Sequence, residues 1–321
     1  MYSHRVRCMA ATAFVALFTI SAAEGQTATG FYRGTATNPS LAGASGDGVL
    51  RMSYLSLFPG SGFKLNNFHV TFDRFYEALH GGAGVSFTSE QAGGLLNDTR
   101  MSFSYSYHLR AARDLYILAG MSSGFIFRGF NRSDLLFPDQ IDPLLGPVLQ
   151  GSETVSSQSR FLYDMGAGFT FVYKNSMASV DAGHLFSPDL SGAGIQGAKL
   201  PVRITIQAFS RIATGAEGLS FVPYGEFTSA GYFKRFSAGT ALEYQNLGAG
   251  LLWQNTPAGS ALQPSLTIRT GRLALHYSVM FSASPGNQAL APVSMHRAGI
   301  TTGLNIVDKR KTVMTIILPH L

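Results

Sequence analysis

Residues 100–110 read Arg100-Met101-Ser102-Phe103-Ser104-Tyr105-Ser106-Tyr107-His108-Leu109-Arg110, an alternation of apolar and polar side chains with a period of two. On an extended strand, this period places the apolar side chains on one face and the serines on the other. A soluble β-sandwich would turn the apolar face toward its core. An outer-membrane barrel would turn it toward lipid and line its lumen with small and polar residues. The alternation therefore predicts a strand and leaves two architectures open.

The N-terminus carries the pattern of a secretory signal peptide. Basic residues precede an uncharged apolar run at 9–20, and small residues follow it. The run is too short to span, as a helix, the roughly 30 Å hydrocarbon core of a bilayer. We therefore predict a signal peptide over residues 1–25, cleaved between Gly25 and Gln26.

Composition favours the membrane architecture. Only 13% of residues are charged, against about 25% in typical soluble domains. The single cysteine, Cys8, lies in the predicted signal peptide, so the predicted mature chain has no thiol for a disulfide, a nucleophile or a metal site. The net charge of +6 comes from scattered basic residues, a distribution that does not predict nucleic-acid binding. No later stretch has the apolar length of a membrane helix, so a mature chain in a membrane would cross it as strands.

Extended segments alternate with turns from residue 49 onward, and about fourteen can be placed. An even number of strands is typical of bacterial single-chain barrels. The predicted spans are 49–58, 63–75, 78–88, 99–110, 114–127, 159–173, 177–186, 200–211, 219–228, 232–245, 247–254, 261–269, 272–282 and 295–306.

The connections between these segments alternate between tight turns and long stretches. The long ones are 128–158, 187–199 and 283–294. Outer-membrane barrels have short periplasmic turns and long extracellular loops. We therefore predict an all-β transmembrane outer-membrane β-barrel of about fourteen antiparallel strands, with this sidedness, in the bacterial outer membrane.

The predicted organisation is a signal peptide (1–25), a periplasmic N-terminal segment (26–48), the barrel (49–307) and a periplasmic C-terminal tail (308–321). Charged or hydrogen-bonding residues are predicted on the inner face of the barrel. They are His80, Arg110, Asp164, Lys174, Arg203, Glu243, Arg269, His276 and Arg297. A barrel of this size can hold a channel or be plugged by paired side chains and inward-folded loops, and the pattern leaves both open.

One motif matches a nucleophile pattern. Gly120-Met121-Ser122-Ser123-Gly124 fits G-x-S-x-G, whose chemistry needs a strand-to-helix elbow with acid and histidine partners. Here the motif lies inside a predicted strand, and the eight histidines are not spaced as ligands of one metal. We predict no catalytic, cofactor-binding or metal-ligating residue and no enzyme activity; a lipid hydrolase using Ser122 is the rival hypothesis.

The longest loop mixes apolar side chains, prolines and carboxylates. Exposed apolar loop residues need a partner or a place to fold back. The segment either plugs its own barrel or contacts another protein. The candidate contact residues are Leu135, Phe137, Pro138, Asp139, Gln140 and Asp142.

Several short motifs, in a fixed order, resemble the type IX secretion system PorP/SprF family of membrane proteins. The resemblance runs over nearly the whole predicted mature chain and is looser after Lys199. The motifs are Asn38-Pro39-Ser40-Leu41-Ala42-Gly43, Phe58-Pro59-Gly60, Phe72-Asp73, Leu79-His80-Gly81-Gly82-Ala83-Gly84, Gln91-Ala92-Gly93-Gly94-Leu95-Leu96-Asn97, Tyr105-Ser106-Tyr107, Phe137-Pro138-Asp139-Gln140-Ile141-Asp142 and Asp164-Met165-Gly166-Ala167-Gly168.

This resemblance implies a non-enzymatic outer-membrane barrel that assists export or surface retention of proteins with C-terminal sorting domains, such as gliding adhesins. The implied partners are outer-membrane lipid, that cargo, and periplasmic or outer-membrane components of the secretion system. The alternative hypothesis is a passive or substrate-specific pore.

Overall fold

The computed structural model describes residues 37–57, 65–130, 141–142, 146–147, 158–189, 199–215, 217–257, 259–282 and 293–304. Within these ranges, antiparallel strands dominate, with two single-turn 3-10 helices at Pro39–Leu41 and Glu77–Leu79. Neither of these described helices has the length and apolar character required to cross a membrane.

Fourteen strands form one closed antiparallel sheet. They are β1 (Val49–Leu57), β2 (Leu65–Tyr76), β3 (Gly81–Ala92), β4 (Leu96–Ala112), β5 (Leu115–Phe130), β8 (Gln158–Tyr173), β9 (Ser176–Gly183), β10 (Arg203–Ser210), β12 (Leu219–Ala230), β13 (Phe233–Tyr244), β14 (Leu247–Thr256), β15 (Gly259–Thr270), β16 (Leu273–Ser282) and β17 (Val293–Gly303).

The barrel strands follow one another around the sheet in chain order. Pairing of β1 with β17 completes the ring, which also includes a direct pairing of β10 with β12. Three two-residue strands lie outside this count: β6 (Ile141–Asp142) pairs with β7 (Gly146–Pro147), and β11 (Ile212–Ala213) pairs with β12. Each predicted segment overlaps one barrel strand, so the predicted fourteen-stranded barrel is confirmed.

The outer face of the barrel is apolar. On β4, Met101, Phe103, Tyr105 and Tyr107 are 40–57% exposed, whereas Ser106 between the last two is fully buried. Every barrel strand carries at least one exposed large apolar side chain. This arrangement, apolar outside and polar inside, is that of a membrane barrel and excludes the sandwich architecture.

The two ends of the barrel differ. At one end, here called the turn end, tight connections such as 113–114, 174–175 and 271–272 join the strands. The three longest connections, between β5 and β8, β9 and β10, and β16 and β17, all lie at the opposite end, called the loop end. Three residues predicted to line the lumen lie exposed at the turn end. His80 and Lys174 occupy turns, with φ of 49° and 51°, and Arg110 lies near the end of β4.

Candidate functional site

Residues 38–43, here called the lumen segment, lie inside the barrel at the turn end. Asn38 begins the first short helix: its Oδ1 accepts hydrogen bonds from the backbone N–H of Ser40 (3.0 Å) and from Ser40 Oγ (2.6 Å). Pro39 follows at the first helical position, where it has no N–H to leave unsatisfied. Asn38, Ser40 and Ala42 are fully buried. The sequence Asn-Pro-Ser-Leu-Ala-Gly therefore folds into a compact capped turn enclosed by the barrel wall.

Neutral polar side chains from two strands bind this segment. From β4, Ser106 Oγ donates to the Ser40 carbonyl oxygen (2.7 Å) and His108 Nε2 donates to that of Ala42 (3.0 Å). From β8, Thr170 Oγ1 contacts Ser40 Oγ at 2.7 Å and accepts from Asn38 Nδ2 at 3.3 Å. These bonds satisfy polar groups that have left water.

Asp73 on β2 supplies the charged contact to the lumen segment. Its Oδ2 accepts the backbone N–H of Gly43 at 3.0 Å, and its Oδ1 accepts from Arg51 Nη1. The Arg51 guanidinium also donates to Ser45 Oγ at 3.0 Å. The Asp73 side chain is fully buried, so this carboxylate depends on its partners for stabilisation.

Three glycines of the barrel wall form a cradle for the lumen segment. A Cβ on Gly82 of β3 would lie 2.0 Å from the Ala42 carbonyl oxygen, and one on Gly120 of β5 would lie 2.4 Å from Ser40 Cα. A Cβ on Gly168 of β8 would lie 2.3 Å from Asn38 Oδ1. No side chain larger than a hydrogen fits at these distances without displacing the segment.

An apolar cluster holds the same segment from the side. Leu41 packs against buried Leu118, Val172 and Met177, which project inward from β5, β8 and β9, with Ala44 in the same cluster. Full burial of a leucine side chain is worth about 1.5–3 kcal/mol, and Leu41, which is partly buried, gains a part of this. The segment is therefore held by apolar packing, hydrogen bonds and one buried carboxylate together.

Above the lumen segment lies a polar cavity of about 160 Å³. Thr37 and Pro39 line it, and its walls come from nine neighbouring strands, from β17 through β1 to β10. Its charged and histidine side chains are Arg51, His69, Glu90, Arg100, Asp164, His184, Arg203 and Arg297.

Several charges of this region are paired. Glu90 accepts from Asn67 Nδ2 at 2.8 Å, and His184 Nδ1 lies 2.7 Å from Asp164 Oδ2. Arg128 donates two hydrogen bonds to Asp98. Asp98 on β4 is the residue paired with Glu90 on β3. The pairs cross-link adjacent strands inside the barrel.

The opposite wall of the lumen is also cross-linked. Arg235 Nη2 donates to Glu226 Oε1 at 2.7 Å, and both side chains are almost fully buried. Glu243 binds both Arg211 and Arg269 at the turn end, and Gln254 Nε2 donates to Gln263 Oε1 at 2.6 Å. Within the described residues, paired side chains and the lumen segment extend into the lumen from the wall.

The predicted site residues fall largely elsewhere. Leu135, Phe137, Pro138, Asp139 and Gln140, like Gly25 and Gln26, lie outside the described residues, and only the backbone of Asp142 is placed, in β6 opposite Gly146.

Ser122 lies inside β5 and lines the lumen cavity, so its motif does not occupy a strand-to-helix elbow. No group of three or more His, Cys, Asp or Glu arranged to hold a metal occurs in the part of the chain that the structure describes.

Sequence reasoning missed the lumen segment. It predicts a periplasmic segment over 26–48, but the described residues 38–43 lie within the barrel mouth. Two signals were present: Asn-Pro, a helix-start pair, and isolated glycines inside predicted strands, which indicate close approach of another backbone.

The fold is similar to those of outer-membrane proteins of known structure. The TodX deltaS2S3 mutant monoaromatic hydrocarbon channel matches with a TM-score of 0.51 and 12% identity, over 87% of this chain and 96% of that one. The Ralstonia pickettii toluene transporter TbuX matches with a TM-score of 0.49 and 11% identity, over 82% and 91%. The Acinetobacter baumannii outer membrane protein Omp33 matches at 0.46 and 8%, over 81% and 99%. No curated protein sequence matches the chain.

The family profile described as type IX secretion system membrane protein PorP/SprF matches residues 30–296, most of the chain. The match agrees with the ordered motifs, and a membrane-protein family with this barrel fold resides in the bacterial outer membrane. The lipid of that membrane and components of the secretion system are accordingly its partners. The chain thus belongs to the PorP/SprF family of type IX secretion system membrane proteins.

Proposed function

We propose that this barrel assists the export, or the retention at the cell surface, of proteins with C-terminal sorting domains, and that it acts by binding them and not by forming a passive pore. The observation that carries the proposal is the lumen segment. Five hydrogen bonds between the barrel wall and residues 38–43 hold this segment in the opening of the barrel at the turn end. A passive pore would need this opening to be free.

Cargo would meet such a barrel at the loop end. The connection between β5 and β8 is the longest and contains Leu135, Phe137 and the carboxylates Asp139 and Asp142. Apolar side chains with flanking charges are typical of protein contact surfaces. We propose that this loop contacts cargo or another component of the secretion system.

Deletion of the gene, followed by quantitative profiling of surface and medium proteins, tests the proposal. We expect loss of surface display or export for at least one protein with a C-terminal sorting domain, restored by the wild-type gene. Unchanged secretion and display of all such proteins would overturn it.

The loop assignment has its own test in the complemented strain. Leu135→Ala with Phe137→Ala should abolish the complementation while leaving the barrel in the outer membrane. Tyr232→Ala, which truncates a fully exposed aromatic residue at another connection of the loop end, is the matched control and should complement fully. If both variants complement equally, the loop does not contact cargo.

The second candidate is a pore or transporter, because the structure with a TM-score of 0.51 is that of a monoaromatic hydrocarbon channel. Conductance of the purified protein in planar bilayers separates the two functions. A binding barrel with an occupied lumen should conduct little, whereas steady, large single-channel steps would favour the pore.

We also propose that the protein performs no catalysis. The lipid-hydrolase hypothesis predicts phospholipase activity that Ser122→Ala removes. Absence of that activity from the purified wild-type protein would exclude this hypothesis.

A further inference from the structure

Arg203 holds a distinctive position in the lumen cavity. It begins β10 at the loop end, and its guanidinium lies over Gly183 of the paired strand β9: a Cβ on that glycine would lie 3.0 Å from Arg203 Nη2. Its Nε is buried and has no hydrogen-bond partner within the described part of the chain. A cationic side chain therefore faces the cavity in a space that the glycine keeps open.

The carboxylates near this cation have other partners, and one oxygen of Asp164, Oδ1, is buried with no hydrogen-bond partner among the described residues. Asp164 Oδ2 is bound to His184, and Glu90 accepts from Asn67. Arg51 is paired with Asp73 below the cavity. In the described structure, no carboxylate oxygen lies within ion-pair distance of the Arg203 guanidinium.

A second guanidinium, that of Arg100, lines the same cavity and makes two long ion pairs. Arg100 Nη2 lies 3.5 Å from Glu90 and 3.6 Å from Asp98, and Asp98 already receives two bonds from Arg128. Four arginines line the cavity, whereas only two carboxylates, Glu90 and Asp164, do so. The lining therefore carries an excess of positive charge, which a bound anion would reduce.

We propose that this cavity binds a small oxyanion, a carboxylate or a phosphate, with Arg203 as its principal ligand and Arg100 as its second. The planar fork of a guanidinium matches both anions through paired, charge-assisted hydrogen bonds. A cavity of about 160 Å³ has room for roughly ten water molecules, so acetate and phosphate both fit. The site is independent of the function proposed for the whole barrel.

Ligand-observed NMR of the full-length purified barrel in detergent, in chloride buffer, tests the site. One arm measures saturation transfer to the methyl protons of acetate, and the other measures broadening of the phosphorus resonance of inorganic phosphate. We expect binding in at least one arm, and the arm that responds identifies the anion. Binding in neither arm would overturn the proposal, including the case in which the chain's own loops fill the cavity.

Variants locate the binding. Arg203→Gln should raise the dissociation constant at least about tenfold, the loss expected for charge-assisted hydrogen bonds. Arg110→Gln removes the same charge at an exposed position of the turn end and should bind as the wild type does.

If Arg203→Gln fails to fold, Gly183→Ala keeps the charge, displaces the guanidinium and should still weaken binding several-fold. If the two single variants Gly183→Ala and Arg203→Lys both bind the anion with wild-type affinity, Arg203 is not its ligand.

Discussion

Gly120→Ala should release the lumen segment from the barrel. The new Cβ would lie 2.4 Å from both N and Cα of Ser40 and 2.5 Å from the Pro39 carbonyl carbon. Ordinary contacts begin at about 3.4 Å, so one partner has to move by about 1 Å. Gly120 is fixed in β5, which pairs with β4 and β8 along its whole length. The lumen segment, held by side chains, is the partner that moves.

The size of the effect follows from what holds the segment. Five hydrogen bonds, at about 1 kcal/mol each, stabilise the bound state by about 5 kcal/mol, to which Leu41 packing adds. Inserting one methyl group into a filled space costs about 1–3 kcal/mol. Because 1.4 kcal/mol is a factor of ten, the population with a released segment should rise about 5- to 150-fold.

Thiol labelling measures this population. Ala44 is 1% exposed and packs beside Leu118, so Ala44→Cys in a chain lacking Cys8 places one buried thiol next to the lumen segment. When Gly120→Ala is added to this chain, a membrane-impermeant maleimide should label the thiol faster, by the same factor by which the released population rises. The conductance of the variant in planar bilayers should also rise. The control is Gly225→Ala, where a Cβ meets nothing within 4 Å. Equal labelling rates in the two variants would refute the reasoning.

Two further predictions concern the inner and outer faces of the wall. Asp73→Asn removes the charge paired with partly buried Arg51 and weakens the bond to Gly43 N; breaking a buried pair costs about 3–5 kcal/mol. Denaturant unfolding in detergent should show a lower midpoint than for Asp114→Asn in an exposed turn, and equal midpoints would contradict this role. Phe103→Arg on the outer face, 57% exposed, should destabilise the barrel in lipid by about 2–4 kcal/mol. If the face met water, the change would stay within about 0.5 kcal/mol.

The barrel itself could be predicted because its signal is local. In β4, the alternation of apolar residues at 101–109 with serines sets both the strand and its two faces, and the structure confirms both. Strand bounds shifted by up to four residues, since hydrogen bonding continues past the periodic part; β3, for example, extends to Ala92. His80 was assigned to the wrong face because a left-handed turn residue interrupts the period of two.

The lumen segment could not be predicted in the same way, because its contacts are long-range. Asn38 and Thr170 are 132 residues apart in the chain, and Gly120 is identified as a cradle residue only once Ser40 is placed against it. The pairing of Asp73 with Gly43 N likewise depends on how the N-terminal residues enter the barrel. A periodic pattern reports which face a residue occupies and carries no information on what lies against that face.

Five of the eight motifs by which the chain resembles its family meet at one place in the structure. Asp73, Gly82, Ser106 and Gly168 come from four separate motifs and all contact the lumen segment, itself a fifth. In an enzyme, such convergence brings together a nucleophile, a base and an oxyanion donor. In this chain the converging groups bind its own backbone, so these motif residues hold the lumen segment in the turn end of the barrel. We propose that recognition of partners resides at the loop end, because loops tolerate changes of length and composition better than a packed interior does.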